Sequence, residues 1–383
     1  MRIMHPRRRL SAALNRILIA HHLLLGDTLM LTPLIAKLRR LHPQADIAMT
    51  VPLSFVRCYS GRPYGVRLLP YDPRDPATLE AVFDEGGPAV GSGPGHHSTT
   101  GAGAGYDLAI VPGDNRFAWL ALAAGARWIV AFAGDTPAWK NWPVDEPRPY
   151  PSHPAAWGDM VAGLVDGDPP PVYAPGDWPA PPAAPFARPP APRYAVLHVG
   201  ASTPLKQWPP ERWRSVAETL ERDGVEPVFL AGRGEEAIVD TVDPPHRWQS
   251  YAGKLALEQV WHLLAGAQAL IAPDTGIAHL GRVVGVPTVT LFGPGSAVIC
   301  GAGEFWRDSP YWAVTIPDFL CRDQHVLFRR RIDWVRRCGR STDECAAPRC
   351  MQAIGMDMAM DAIRAALRRA IPTTSALSEA RSP

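Results

Sequence analysis

At 383 residues the chain is too long for one small domain and suits two, at roughly 100–200 residues each. Lys and Arg number 39 against 37 Asp and Glu, and this formal charge of +2 argues against a dedicated nucleic-acid binder. With 46% hydrophobic and 20% charged residues the chain can bury a core, which excludes disorder over most of its length.

Arg7-Arg8-Arg9 followed by Ile17–Ala20 and Leu23–Leu25 superficially copies a signal peptide. His21 and His22 interrupt the apolar run and Gly26-Asp27 ends it, far short of the roughly 20 apolar residues that cross a bilayer. Residues 1–15 therefore read as a basic extension, and Arg16–Ala20 as a buried parallel strand. Leu31, Leu34, Ile35, Leu38 and Leu41 then recur at helical spacing over Thr28–Leu41, with Pro33 near the start, where it is tolerated. Ala45–Val51 reads as a second strand, completing a β-loop-α-β unit.

Residues 85–105 are rich in Gly and read as a mobile loop. Beyond it come a strand at Tyr106–Val111, a helix near Arg116–Gly125 and a strand at Ile129–Phe132. Residues 168–192 are dominated by Pro and read as a stiff linker, which leaves 16–167 as an N-terminal domain. The alternation then restarts, with strands at Tyr194–Val199, Val225–Leu230, Ala269–Ala272 and Thr288–Phe292. Helices are expected at Pro209–Arg222, Leu257–Ala265 and Ile277–Val284. These make a C-terminal domain over 193–350, followed by a helix within 351–371 and a polar tail over 372–383. The fold class is α/β: two Rossmann-like domains facing across a cleft, with the ligand at the carboxyl ends of the strands.

The strand Ala269–Ala272 runs into Pro273-Asp274-Thr275-Gly276-Ile277-Ala278-His279. A strand that ends in Asp-Thr-Gly and opens a helix brings free amides, a hydroxyl and a positive helix end together, which suits a diphosphate. His279 lies one helical turn past Thr275. Equally, Asp274 serves as a plain N-cap there and His279 as a core histidine. The loop His198–Pro209 offers Ser202, Thr203 and Lys206 after another strand, again suited to phosphate, although by itself it is an ordinary βα loop. Glu235, after Phe229–Gly234, can accept from sugar hydroxyls or cap a helix. Asp27 offers a carboxylate at the first βα loop, placed as a general base or as a simple helix cap.

Leu25-Gly26-Asp27 with Thr32-Pro33, His198-x-Gly200-Ala201 with Lys206-x-Trp208-Pro209, and Asp274-Thr275-Gly276-x-x-His279 occur in this order. Followed by Gly285-Val286-Pro287 and Leu291-Phe292-Gly293, they resemble glycosyltransferase family 9, the ADP-heptose:lipopolysaccharide heptosyltransferases. The resemblance runs roughly from Arg16 to Ile371. It implies a GT-B architecture whose C-terminal helix returns to the N-terminal domain, and an inverting transferase needing no cofactor and no metal. Residue by residue it implies Asp27 as catalytic base and Lys206 as a catalytic, phosphate-binding cation. Ser202, Thr203, Glu235, Asp274, Thr275, Gly276 and His279 become donor-binding residues. The implied partners are a nucleotide-sugar donor, ADP-heptose, and a lipopolysaccharide core or related glycan acceptor, with no nucleic acid.

The alternatives are another donor, a protein acceptor, or a noncatalytic homologue that binds a nucleotide. A nicotinamide dehydrogenase is poorly supported, because no G-x-G-x-x-G follows the first strand. Val199 where the family usually has Pro, His21-His22 before the first loop, and Gly281-Arg282 after His279 depart from the family pattern. The six cysteines read as reduced cytoplasmic thiols, with a metal knuckle at Cys321, Cys338, Cys345 and Cys350 as the alternative. Arg329-Arg330-Arg331 and Arg336-Arg337 read as a solvated face, or as peripheral contact with an anionic inner membrane by a cytoplasmic enzyme.

Overall fold

The computed structural model describes residues 14–86 and 105–369. The basic extension up to residue 13, most of the Gly-rich loop and the C-terminal tail lie outside the described residues. The chain divides into two compact units. The first holds Met1–Ala183, Val298–Asp308 and Leu320–Gly339, and the second Ala184–Ala297, Ser309–Phe319 and Arg340–Pro383. The division falls inside the proline-rich stretch. The span 193–350, expected as one domain, is shared between the units, because two of its segments group with the first.

In the first unit the elements are β1 (Arg16–Ile19), α1 (Leu25–Leu29), α2 (Thr32–Leu41), β2 (Asp46–Val51), β3 (Arg67–Pro70) and α3 (Pro76–Gly86). They are followed by β4 (Leu108–Val111), α4 (Phe117–Ala123), β5 (Ile129–Phe132), β6 (Glu146–Arg148) and α5 (Trp157–Ala162). The strands form one parallel sheet in the order β3-β2-β1-β4-β5-β6. This is the doubly wound order, whose direction reverses between β1 and β4. Ile17, Leu18 and Ile19 are fully buried, as expected of a central strand covered on both faces. The helix expected over Thr28–Leu41 is two helices. Met30 closes the first by donating to the Gly26 and Thr28 carbonyls, and Thr32-Pro33 restarts the second.

The second unit contains β7 (Tyr194–His198), α6 (Pro210–Arg222), β8 (Glu226–Leu230), α7 (Glu236–Val242), β9 (Gln249–Ser250) and α8 (Leu257–Ala265). Next come β10 (Ala269–Pro273), α9 (Gly276–Val284), β11 (Thr288–Phe292) and β12 (Tyr311–Thr315). Its sheet runs β12-β11-β10-β7-β8-β9, all parallel. The topology of the first unit is thereby repeated, with the reversal between β7 and β10. Two Rossmann-like units in one chain constitute the GT-B type of organisation.

The chain then forms the antiparallel hairpin β13 (Val326–Leu327) and β14 (Arg330–Arg331), a short helix α10 (Arg349–Gln352), and α11 (Met356–Arg369). The resemblance implied that this last helix returns to the N-terminal domain. Instead, α11 packs on β10, β11 and β12 of the second unit. Its buried Met360, Ile363 and Ala366 complete that unit's core with Leu291 and Val314. The hydrophobic stripe expected of this helix exists, but the nearest unsatisfied apolar face belongs to the sheet it follows.

The segment that does group with the first unit is the hairpin, and one buried cation anchors it. Arg330, 4% exposed, donates to the carbonyls of Gly113, Ala133 and Phe328 at 3.0 Å and to Asn115 Oδ1 at 2.7 Å. Its guanidinium also lies 3.5 Å from the Asp135 carboxylate. This corrects the solvated-face reading of Arg329-Arg330-Arg331, because the middle residue is an internal anchor. The turn residues Phe328 and Arg329 adopt φ of 44° and 64°, a region costly for non-glycine residues that the buried anchor holds in place.

The proline-rich stretch is more than a spacer. Trp178 is buried against Tyr59, with ring centroids 4.6 Å apart, and the Tyr173 amide donates to the Phe305 carbonyl at 2.8 Å. No helix among the described residues is long and apolar enough to cross a membrane.

Candidate functional site

A doubly wound sheet leaves a crevice at the carboxyl ends of its strands where the strand order reverses. In the second unit those ends belong to β7 and β10, and the loops that follow them carry most of the expected donor residues. After β7 the chain passes Gly200, Ser202 and Thr203. Thr203 caps a short 3-10 helix at Pro204–Lys206, its hydroxyl accepting from the Leu205 amide at 3.3 Å. That turn delivers Lys206 toward the neighbouring loop. Its Nζ donates to the Asp274 carbonyl at 2.7 Å and to Asp274 Oδ2 at 3.1 Å. Trp208 fixes the far side of the loop through an Nε1–H bond of 3.0 Å to the Ile354 carbonyl.

Asp274 is not a helix cap; Thr275 occupies the N-cap position of α9 and makes no capping hydrogen bond. The Thr275 hydroxyl is instead buried with no hydrogen-bond partner among the described residues, an arrangement that ordinary folds avoid. Gly276 opens the helix. The first amides that donate within the helix are those of Ala278 and His279, both to the Thr275 carbonyl, so the amides of Gly276 and Ile277 have no intrahelical partner by position. One turn on, His279 is 6% exposed, and its Nε2 lies 4.0 Å from Asp274 Oδ1. Burial, together with the Arg282 and Lys206 charges, holds His279 well below its ordinary pKa, so the ring is neutral.

Arg282, which departs from the family pattern, is 2% exposed and lies over the Tyr311 ring at 4.8 Å. Its guanidinium also meets His279 Nδ1. A guanidinium only donates, so His279 carries its proton on Nε2, the nitrogen turned toward Asp274. The sequence placed a charge near the site at this position; its ring contact with β12 was not foreseeable, because β12 itself was not.

Glu235 sits between two strand-end loops. Its Oε2 accepts from the Gly232 amide at 2.7 Å, and a Cβ built on Gly200 would fall 2.0 Å from that same oxygen. Gly200 therefore leaves room for the carboxylate, and the two residues are one feature. His198, at the end of β7, is buried, and burial lowers its pKa to about 4. Ser202 is exposed on the loop surface. The structure thus groups Lys206, Asp274, Thr275, Gly276 and His279 tightly. Thr203 shapes their loop, and Glu235 lies one strand-end away.

Asp27 belongs to the first unit. His21 sets its loop: the Thr50 hydroxyl accepts from the His21 amide and donates to its carbonyl, both at 2.7 Å. The His21 ring is buried, its pKa lowered to about 3 by burial and by His22, and its Nδ1 accepts from the Leu23 amide at 3.2 Å. These bonds turn the chain into α1, whose first turn contains Asp27 while the N-cap position is Leu24. Asp27 is therefore not the N-cap that its sequence position allowed.

The carboxylate lines a cavity of about 710 Å³ formed entirely by residues of the first unit. The segments after β1 and β4 supply His22–Leu24 and Asp114, Arg116 and Phe117, so this cavity lies at that unit's strand-order reversal. Tyr71, Trp119 and Phe328 complete much of its wall. Asp114 holds Arg116 at 2.9 Å and the buried Lys140 at 2.9 Å. Burial raises the Asp114 pKa, but the Arg116 amide and the Lys140 ammonium outweigh it and hold the carboxyl below its usual range. Asp114 and Phe328 were missed in the sequence, where neither carried a motif.

Residues 102–304 match the model of "Glycosyltransferase family 9 (heptosyltransferase)". The lipopolysaccharide heptosyltransferase 1 of Pseudomonas aeruginosa is 33% identical over 117 residues, 30% of this chain and 33% of that protein. The aligned stretch thus spans about a third of the length of this curated relative. Among solved structures, the Escherichia coli ADP-heptose lipopolysaccharide heptosyltransferase II has a TM-score of 0.64 at 16% identity, covering 92% of this chain and 98% of that one. The iron-containing dodecameric glycosyltransferase TibC of enterotoxigenic E. coli has a TM-score of 0.52 at 16% identity, covering 93% and 77%.

Proposed function

This chain belongs to glycosyltransferase family 9, and from that premise we propose that it transfers heptose from ADP-heptose to a hydroxyl of a lipopolysaccharide core or related glycan. The names of the P. aeruginosa relative and of the E. coli heptosyltransferase II support this donor and acceptor.

The transfer is one inverting displacement. Asp27 takes the proton of the acceptor hydroxyl as the oxygen attacks the anomeric carbon. The bond from that carbon to the diphosphate oxygen breaks, and ADP leaves with the electron pair. The growing charge is met by the Lys206 ammonium, the amides that open α9, the Thr275 hydroxyl and the Nε2–H of His279. Fixed donors aimed where charge develops lower the barrier because they need no reorganisation during the reaction. Ser202 and Thr203 belong to the same phosphate-facing loop, and Glu235 accepts from a hydroxyl of the bound nucleotide sugar. With this set of donors the reaction needs neither a metal nor a cofactor.

The observation that carries the reading is the reach of Lys206 across the strand-order reversal to Asp274, beside the unpartnered Thr275 hydroxyl. The enzyme works in the cytoplasm. Exposed Arg329, Arg331 and Arg336 provide peripheral attraction to an anionic membrane, to which the buried Arg330 does not contribute. The test is incubation with ADP-heptose and a heptose-free lipopolysaccharide core, scored by mass spectrometry. Gain of one heptose with release of ADP is expected, unchanged after dialysis against a chelator. ADP binding without transfer would leave a noncatalytic nucleotide binder, and chelator sensitivity would put a metal in the reaction, as the iron in TibC makes worth checking.

A further inference from the structure

The two residues of α9 that depart from the family pattern, Gly281 and Arg282, form one feature. A Cβ on Gly281 would fall 2.5 Å from Thr288 Oγ1 and 2.6 Å from a Leu270 methyl, so glycine lets the helix seat closely on β10 and β11. Close seating carries the next residue inward: Arg282 is 2% exposed although its side chain is long and charged. Its guanidinium lies over the Tyr311 ring of β12, 4.8 Å from the centroid, where the ring face attracts a cation. Burying a guanidinium is costly unless its N–H groups find acceptors. One acceptor it finds is Nδ1 of His279, three residues back on the same helical face.

Only Arg282 can donate in that contact, so Nδ1 presents its lone pair and the ring proton stays on Nε2. Nε2 stands 4.0 Å from Asp274 Oδ1, beyond hydrogen-bond length, so that carboxylate does not consume the N–H. The other carboxylate oxygen of Asp274 accepts from the Lys206 ammonium at 3.1 Å. A ring without Arg282 would exchange its proton between the two nitrogens and rotate, and either change turns a lone pair or a C–H toward the site.

We propose that Arg282 is a positioning residue for the transfer: held over Tyr311, it fixes His279 in the orientation and tautomer that aim Nε2–H at the departing diphosphate. The assignment rests on the transferase reading and adds to it a residue that acts on the donor substrate only through another side chain. A donor fixed in place before charge develops needs no reorganisation when it does, which is what the clamp on Nδ1 supplies.

The test joins steady-state kinetics to nitrogen NMR of the full-length protein with isotope-labelled histidine, the His279 signals being assigned by their loss in His279→Ala. Wild type should show the pattern of one fixed Nε2–H tautomer, and Arg282→Met the averaged pattern of a ring exchanging between two. Arg282→Met should lower kcat and kcat/KM together by about tenfold, because the contact matters where charge develops. Arg282→Lys still offers Nδ1 an N–H and should recover most of that loss. Tyr311→Leu, which removes the ring under the guanidinium, should lose about threefold. In a His279→Ala background Arg282→Met should cost nothing further, since two residues acting through one group do not add. An undiminished loss in that background overturns the proposal, as does a wild-type His279 that carries its proton on Nδ1. A fixed Nε2–H tautomer that persists in Arg282→Met overturns it as well. If Arg282→Met does not fold, the wild-type tautomer and the kinetics of Arg282→Lys and Tyr311→Leu carry the same test. Failure of the transfer reading is separable: a wild type that releases no ADP from ADP-heptose sinks the reaction, while the NMR arm still decides whether Arg282 holds His279.

Discussion

Lys206 Nζ lies 2.7 Å from the main-chain oxygen of Asp274 and 3.1 Å from its carboxylate, tying together two loops that are 68 residues apart in the chain. The ammonium is thus held at the strand-order reversal while a quarter of its side chain stays exposed. Lys206→Met should lower kcat/KM by about 10²–10³-fold, the effect of losing one preorganised donor to a developing oxyanion. Lys206→Arg should recover only part of that loss, because a planar guanidinium cannot reproduce the point contact of the ammonium. Steady-state kinetics on the two variants decide it.

Asp27 belongs to the first unit, whereas Lys206, Asp274, Thr275 and His279 belong to the second. Asp27→Asn should reduce kcat by about 10²–10⁴-fold, the usual range for losing a general base. ADP affinity should stay within about twofold of the wild-type value, well under the tenfold that corresponds to about 1.4 kcal/mol. Single-turnover kinetics beside ADP titration separate these two quantities.

Gly200 and Glu235 act as a pair. Gly200→Ala would drive a methyl group into the Glu235 carboxylate, so its donor KM should rise as far as that of Glu235→Gln, roughly tenfold for the loss of one charge-assisted hydrogen bond. The double variant should be no worse than either single one. Additive losses in the double-mutant cycle would show that the two residues act separately.

His21, His198 and His279 are buried with depressed pKa values, about 3 and about 4 for the first two and well below normal for the third. Unfolded histidines bind protons below about pH 6.5, while these native ones do not, so the unfolded state gains protons first as pH falls. Stability is therefore full above about pH 6.5 and declines as pH drops toward the native pKa values, by up to about 1.4 kcal/mol per pH unit for each histidine. Urea midpoints measured from pH 8 to about pH 5 should fall monotonically below about 6.5. A flat profile would show that these rings are protonated in the native state.

Arg330→Met removes the buried anchor of the β13–β14 hairpin and leaves the Asp135 carboxylate, itself buried, without that cation. A loss of about 3–5 kcal/mol is expected in denaturant unfolding. Arg330→Lys should not rescue it, because one ammonium cannot serve the Gly113, Ala133 and Asn115 oxygens together.

The strands that could be read from the sequence are the central ones. β1, β2, β4 and β5 in the first unit, and β7, β8, β10 and β11 in the second, are covered on both faces and appear as continuous apolar runs. The edge strands β3, β6, β9 and β12 were not read, because an edge is partly solvated and its sequence, as in Glu146-Pro147-Arg148, carries no such run. The same distinction holds at the site. Lys206, Asp274, Thr275 and His279 follow central strands, so local spacing marked their loops, but it left each open to an ordinary structural role and only the family resemblance assigned them a binding one. The Gly200–Glu235 cradle, the contact of Arg282 with Tyr311, and the insertion of Phe328 and Arg330 depend on segments far apart in sequence, which no local pattern encodes.

Calorimetric titration of ADP, UDP and GDP into wild type, Asp27→Asn and Lys206→Met tests the division of labour most directly. The account predicts that ADP binds best, that Asp27→Asn binds it as wild type does, and that Lys206→Met binds it at least about tenfold more weakly, about 1.4 kcal/mol. Equal affinity for all three nucleotides, or an equal loss of ADP binding in both variants, would contradict it.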